Sequence, residues 1–150
     1  MKYIAAAAGI ALIGLFLAFN IGTGEAKKID AEMIVYTDDA CGCCDIYVDY
    51  AEGISKGVSQ DLEGSVEELK DEKGIPEDLR SCHTTMVDDY FVEGHIPAEV
   101  IEKLVEEQPD IEGIAMPGMP SGSPGMPGSK TEEWVIYSVV DGEYEEFASV

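Results

Sequence analysis

Three of the four cysteines fall within four positions, as Cys41-Gly42-Cys43-Cys44, and the fourth, Cys82, is followed directly by His83. Thiolates are soft ligands that select copper(I), zinc and iron–sulfur centres. The outer pair, Cys41 and Cys44, also has the Cys-x-x-Cys spacing of a redox dithiol. A metal centre, a redox disulfide that leaves Cys43 free, and a structural staple therefore compete for the same residues. Crowding of this kind suits a metal or redox centre better than a staple.

If Cys41 opens a helix, the unpaired N–H groups and positive dipole end there favour thiolates. Asp38, Asp39 and Asp45 act against this, because nearby carboxylates disfavour further negative charge. A bound cation resolves the conflict, since a coordinating thiol is deprotonated outright.

The other candidate ligands are nitrogen and thioether donors. The chain has two histidines, His83 and His95, and His95 lies in Glu93-Gly94-His95-Ile96-Pro97. Neighbours on a strand point to opposite faces, so Cys82 and His83 share one metal only if the chain turns there. Met116, Met119 and Met126 sit in a stretch rich in Pro, Gly and Ser. Thioethers suit copper(I) and are poor ligands for zinc, although methionine more commonly fills gaps in a core. No Ser/His/Asp set, phosphate-cradling glycine loop or paired catalytic carboxylates stand out.

The elements that must position these residues are legible from hydrophobic pattern and turn chemistry. Met33–Tyr36 reads as a short buried strand, and an Asp38–Ala40 turn leads into Cys41. Ile46, Val48, Tyr50 and Ile54 predict a short helix weakened by Gly53 and Gly57, followed by a strand over Val58–Leu62. Ser65 and Glu68 form a capping box for a helix that runs to about Lys73 and ends at Gly74 and Pro76. Thr84–Val87 and Tyr90–Glu93 predict a hairpin around Asp88-Asp89. Pro97 fits a first helical residue, and Val100, Ile101, Leu104 and Val105 form a stripe that Pro109 stops. Met116–Ser129 reads as a loop. A last hairpin spans Trp134–Val140 and Tyr144–Ser149 around Asp141-Gly142.

The order is strand, helix, strand, helix, hairpin, helix, with the Cys-x-x-Cys pair between the first strand and first helix. That is the thioredoxin-like arrangement: an α/β fold with a central mixed sheet, flanking helices and here a C-terminal β-hairpin. It places the loop before the third strand, Ser81-Cys82-His83-Thr84, beside the Cys41–Cys44 turn.

Composition bounds the partners. The 150 residues carry 31 acidic against 9 basic side chains, a net charge of −22. Phosphate binding needs clustered Lys and Arg, so nucleic acid is excluded as a partner, and docking on anionic lipid is disfavoured. Runs such as Glu106-Glu107, Glu132-Glu133 and Glu145-Glu146 read as solvated faces. Residues 1–26 form a separate segment. Tyr3–Gly24 has no charged residue, and Ile4–Phe19 is almost wholly apolar. It fits either a membrane anchor or a long signal peptide cleaved near Gly24-Glu25-Ala26. Either reading places residues 27–150, the expected metal-binding domain, outside the cytoplasm, in a periplasm or at a cell surface.

Five ordered motifs resemble an uncharacterised-domain family of thioredoxin-like metal-binding proteins often found with copper-resistance functions. They are Cys41-Gly42-Cys43-Cys44, Leu79-Arg80-Ser81-Cys82-His83-Thr84, Glu93–Pro97, Met116-Pro117-Gly118-Met119-Pro120 and Gly122-Ser123-Pro124-Gly125-Met126. The resemblance covers roughly Met33 to Val150. It implies a thioredoxin-like fold, an exported location and copper handling, with Cys41, Cys43, Cys44, Cys82 and His83 as ligands. His95 and the three methionines follow less directly. The acidic Asp38-Asp39-Ala40 turn departs from the family's uncharged Ser-Pro-Thr-like turn and bears on affinity and redox poise.

The sequence thus leads to an extracytoplasmic protein that binds copper, copper(I) in preference, for storage, transfer or resistance. Its expected partners are metal ions and other exported copper-handling proteins. The alternative is a thiol–disulfide or copper-linked oxidoreductase, in which Cys41 attacks and Cys44 resolves. Against it, Cys43 competes with the resolving cysteine, and Cys82-His83 replaces the proline usual in the loop beside such sites. A structural zinc domain closed by four thiolates is a third reading.

Overall fold

The computed structural model describes residues 28–38 and 41–150. The anchor or signal peptide expected over residues 1–26 lies outside the described residues. Among the described residues no helix is long and apolar enough to cross a membrane.

The chain forms one seven-stranded mixed sheet of order β2-β1-β3-β4-β5-β6-β7. β1 (Ile29–Tyr36) leads into α1 (Gly42–Ile54), which passes without a loop into β2 (Ser55–Asp61), parallel to β1. α2 (Val66–Glu72) and a single 3₁₀ turn (Glu77–Leu79) carry the chain to β3 (Thr84–Val87), antiparallel to β1. β3 and β4 (Tyr90–Glu93) form the expected hairpin, with Asp88 in the left-handed conformation. α3 (Ala98–Glu107) then crosses to β5 (Gly113–Ala115), parallel to β4, and β6 (Val135–Val140) and β7 (Glu143–Ser149) complete the sheet as an antiparallel pair. This is the α/β, thioredoxin-like order expected from the sequence, extended beyond β4 by three strands.

Both faces of the sheet are covered. Met33 and Val35 of β1 pack with Tyr47 and Ala51 of α1 and with Val100, Ile101 and Leu104 of α3. On the opposite face Phe91, Ala115 and Val139 pack with Ile75 and Leu79. Alternation makes this possible: Phe91 and Val92 are neighbours on β4, yet they enter different clusters.

The elements begin and end as their local chemistry dictates, with four differences, one being that β2 starts at Ser55 and not at Val58, so that Gly57 lies in the strand and not in the helix. Ser65 caps α2, its Oγ accepting the Glu68 N–H at 3.3 Å. Asp141 and Gly142 both take left-handed backbone in the last turn, as a tight hairpin requires. β1 begins earlier than expected, at Ile29, because Ile29 and Ala31 continue the buried alternation through exposed Asp30 and Glu32. Pro97 is the N-cap of α3, one position before the first helical residue expected of it. β5 was not expected, since three residues are too few to show a period.

Candidate metal centre

The site gathers where the N-terminus of α1, the loop before β3 and the segment after β4 meet. Cys41 is the N-cap of α1, without a side-chain capping bond, and its carbonyl accepts the Cys44 N–H at 3.0 Å. The first turn of the helix then carries Cys43 and Cys44 together. Cys44 is fully buried, while Cys41 and Cys43 are half-buried. The chain bends at Cys82, so Cys82 and His83 escape the opposite-face rule of a strand.

Cys82 is the hub. Its Sγ lies 3.7 Å from Cys43 Sγ, 3.4 Å from His83 Nδ1 and 3.2 Å from His95 Nε2. Cys43 Sγ is in turn 3.5 Å from Cys41 Sγ. Two ligand groups result, each with its donor atoms within 4.8 Å of one another: Cys41, Cys43, Cys44 and Cys82, and Cys82, His83 and His95. Cys82 belongs to both. In this structure Cys41 and Cys44 are joined as a disulfide, and Cys43 and Cys82 are free thiols.

The imidazoles are held in ligand-competent form. The carbonyl of Pro124 accepts from His95 Nδ1 at 2.7 Å. A carbonyl only accepts, so Nδ1 carries the proton and the lone pair of the neutral ring sits on Nε2, facing Cys82. His83 is completely buried; its ring lies against Tyr47, with centroids 4.2 Å apart, and edge-on to His95 at 4.7 Å. Burial first, then the charges of His95 and Lys70, push His83 down to about 3. Burial also lowers His95. Both rings are therefore neutral at ordinary pH, the state in which histidine binds metals.

The Cys82 thiol responds to burial in the opposite sense. Cys82 is pushed up to about 12, by burial first and by the hydrogen bond and charge of Cys43 second. Without a cation Cys82 keeps its proton, and a bound cation displaces it. His83 Nε2 is buried without a hydrogen-bond partner, a cost that ordinary core histidines avoid. The donor set of thiol sulfur and neutral imidazole thus fits a soft or borderline metal ion.

The loop over residues 116–129 closes over this centre. Gly125 takes a φ of +81°, and a side chain there would meet the Cys43 carbonyl at 3.1 Å and His95 Nδ1 at 3.3 Å. Of the three methionines, Met116 is buried in the main core with Tyr47 and Ile96. Met119 is exposed, and Met126 is half-buried beside Gly125. Asp45 is exposed, with its Oδ1 accepting from Gln60 Nε2 at 3.3 Å.

Several residues of the site were not legible in the sequence. Tyr47 walls the histidines and donates from its hydroxyl to the Ile96 carbonyl at 3.2 Å, though it reads as one more apolar helix position. Lys70 and Glu93 are both buried behind Cys82, and no sequence signal marks either as buried, although Glu93 opens the Glu93–Pro97 motif. Pro124 and Gly125 lie in the stretch that reads as a loop, with no signal that they pack against His95 and the Cys43 carbonyl.

Comparison with known proteins agrees with this geometry. A family described as a protein of unknown function, DUF411, matches residues 79–126, the stretch that holds Cys82, His83, His95 and the closing loop. No curated protein sequence matches the chain. Among solved structures, the one titled copper resistance protein CopG, Form 2, is 35% identical, with a TM-score of 0.73. Form 1 has the same identity and a TM-score of 0.72, and each match covers 81% of this chain and 98% of the other. By sequence and by fold, the chain belongs to the copper-resistance-associated family of the uncharacterised domain DUF411.

Proposed function

We propose that this chain is an exported protein that binds copper(I) for storage, transfer or resistance. One observation carries the reading: four sulfurs and two neutral imidazoles gather around Cys82, six donors where a single closed tetrahedral zinc site uses four. The names of the related structures support copper over zinc. Cys41, Cys43, Cys44, Cys82, His83 and His95 are the ligands in this reading, and thiolate bridging lets the site take more than one copper ion. Residues 1–26 deliver the domain outside the cytoplasm and hold it at a membrane if they are not cleaved.

A second reading rests on the Cys41–Cys44 disulfide: a thiol–disulfide or copper-linked oxidoreductase. The two readings differ in what oxidation does. A disulfide removes two of the sulfurs from the ligand set. Anaerobically reduced protein is therefore expected to retain copper(I) through gel filtration at more than one equivalent, and protein carrying the Cys41–Cys44 disulfide to retain clearly less. Equal retention in both states would remove Cys41 and Cys44 from the ligand set and favour the oxidoreductase.

A further inference from the structure

Behind Cys82 lies an ion pair whose side-chain hydrogen bonds go to the residues flanking Cys82 and His83. Lys70 of α2 is 1% exposed and Glu93 of β4 is 0% exposed, and Lys70 Nζ stands 3.2 Å from Glu93 Oε1. Burying two charges is expensive, and a buried pair is weak evidence for added stability. What the pair touches explains its presence better. Lys70 Nζ donates to the Ser81 carbonyl at 2.5 Å, and Glu93 Oε1 accepts the Ser81 N–H at 2.5 Å. Both backbone groups of the residue before Cys82 are thus held by opposite charges.

The other carboxylate oxygen reaches past the ligands. Glu93 Oε2 accepts from Thr84 Oγ1 at 2.5 Å, so one carboxylate grips residue 81 on one side of Cys82-His83 and residue 84 on the other. The Gly94 N–H, next to Glu93, donates to the His83 carbonyl at 3.1 Å. Charge-assisted hydrogen bonds are roughly twice as strong as neutral ones. Lys70 also meets the exposed Glu67 at 3.4 Å, a contact that tethers nothing at the site.

We propose that Lys70 and Glu93 are positioning residues for the metal centre: they fix the Ser81–Thr84 segment so that Cys82 Sγ faces Cys43 on one side and the two histidines on the other. The inference rests on the metal-binding reading, and it explains why two charges are buried where their hydrogen bonds go to Ser81 and Thr84. Loosening the segment leaves every ligand present but misplaces the one that joins the two groups.

The test uses reduced full-length protein with Lys70→Met, Glu93→Leu and Thr84→Val, each checked for native far-UV circular dichroism. Thr84→Val keeps shape and strand preference and removes one anchor of the carboxylate, so it decides the matter if either charge variant fails to fold. Two readouts are taken: copper(I) affinity by chelator competition, and iodoacetamide alkylation of Cys82 relative to Cys43 in metal-free protein. The expected result is that Lys70→Met and Glu93→Leu weaken copper(I) binding about tenfold or more, the effect of losing one good ligand contact. Cys82 alkylation should rise in all three variants, least in Thr84→Val. Folded variants with parental copper(I) affinity and parental Cys82 alkylation would overturn the proposal. If the parent itself binds no copper(I), the metal-binding reading falls, while the alkylation ratio still decides whether the pair positions Cys82.

Discussion

Cys82→Ser is expected to weaken copper(I) binding more than any other single cysteine substitution. Cys82 is the one residue shared by the thiol group of the α1 turn and the histidine group. Serine keeps the volume but offers a hard oxygen in place of a soft sulfur. Losing one ligand contact costs at least ~1.4 kcal/mol, a tenfold change in affinity. Losing a ligand shared by two groups costs on the order of twice that, about a hundredfold. Cys43→Ser leaves Cys82, His83 and His95 intact and should cost about tenfold. Competition against a copper(I) chelator measures both, and a disulfide-reductase assay on the same variants separates the rival. An oxidoreductase should lose turnover in Cys41→Ser and keep it in Cys43→Ser and Cys82→Ser. If Cys82→Ser holds copper(I) like the parent, the hub is not a hub.

Acid should unfold the metal-free, reduced protein earlier than its carboxylates alone would dictate. His83 stays neutral in the folded chain down to about 3, chiefly because it is buried. In the unfolded chain a histidine takes up its proton near about pH 6.5. Between these values the unfolded state binds a proton that the folded state refuses. Stability present above about pH 6.5 is therefore withdrawn as pH falls and is fully lost near about pH 3. At about 1.4 kcal/mol per pKa unit the ceiling is ~5 kcal/mol, comparable to the whole stability of a small domain. His95, also lowered by burial, works in the same direction. Glu93, which burial raises, works in the opposite direction and offsets part of the loss at the acid end. Urea midpoints of the parent should fall steadily from about pH 7 to about pH 4, and those of His83→Phe should fall much less over the same range. A parent as flat as His83→Phe would mean that His83 is not buried as a neutral ring.

The hairpins, the capped α2 and the amphipathic α3 were legible because each is specified locally: Asp141-Gly142 for a turn, Ser65 with Glu68 for a cap, Val100 to Leu104 for a stripe. From their order the thioredoxin-like arrangement followed, and with it the approach of Cys82 to the Cys41–Cys44 turn, where its Sγ lies 3.7 Å from Cys43 Sγ. What was not legible depends on contacts distant in sequence. β5 is three residues long and exists through its pairing with β4 and β6. Lys70 sits in a helix of charged residues, and nothing in Val-Glu-Glu-Leu-Lys-Asp-Glu marks it as the one turned inward to Ser81. The hydrogen bond from His95 to Pro124 spans 29 positions and sets a tautomer that no sequence pattern encodes.

X-ray absorption at the copper edge of reduced, copper(I)-loaded protein tests the central claim most directly. The account expects copper bound mainly by sulfur, with imidazole nitrogen as a minor component, because four sulfurs and two neutral rings converge on Cys82. Copper surrounded only by oxygen and nitrogen would contradict it: the metal would then sit on the acidic surface, and the cysteine cluster would be a redox site.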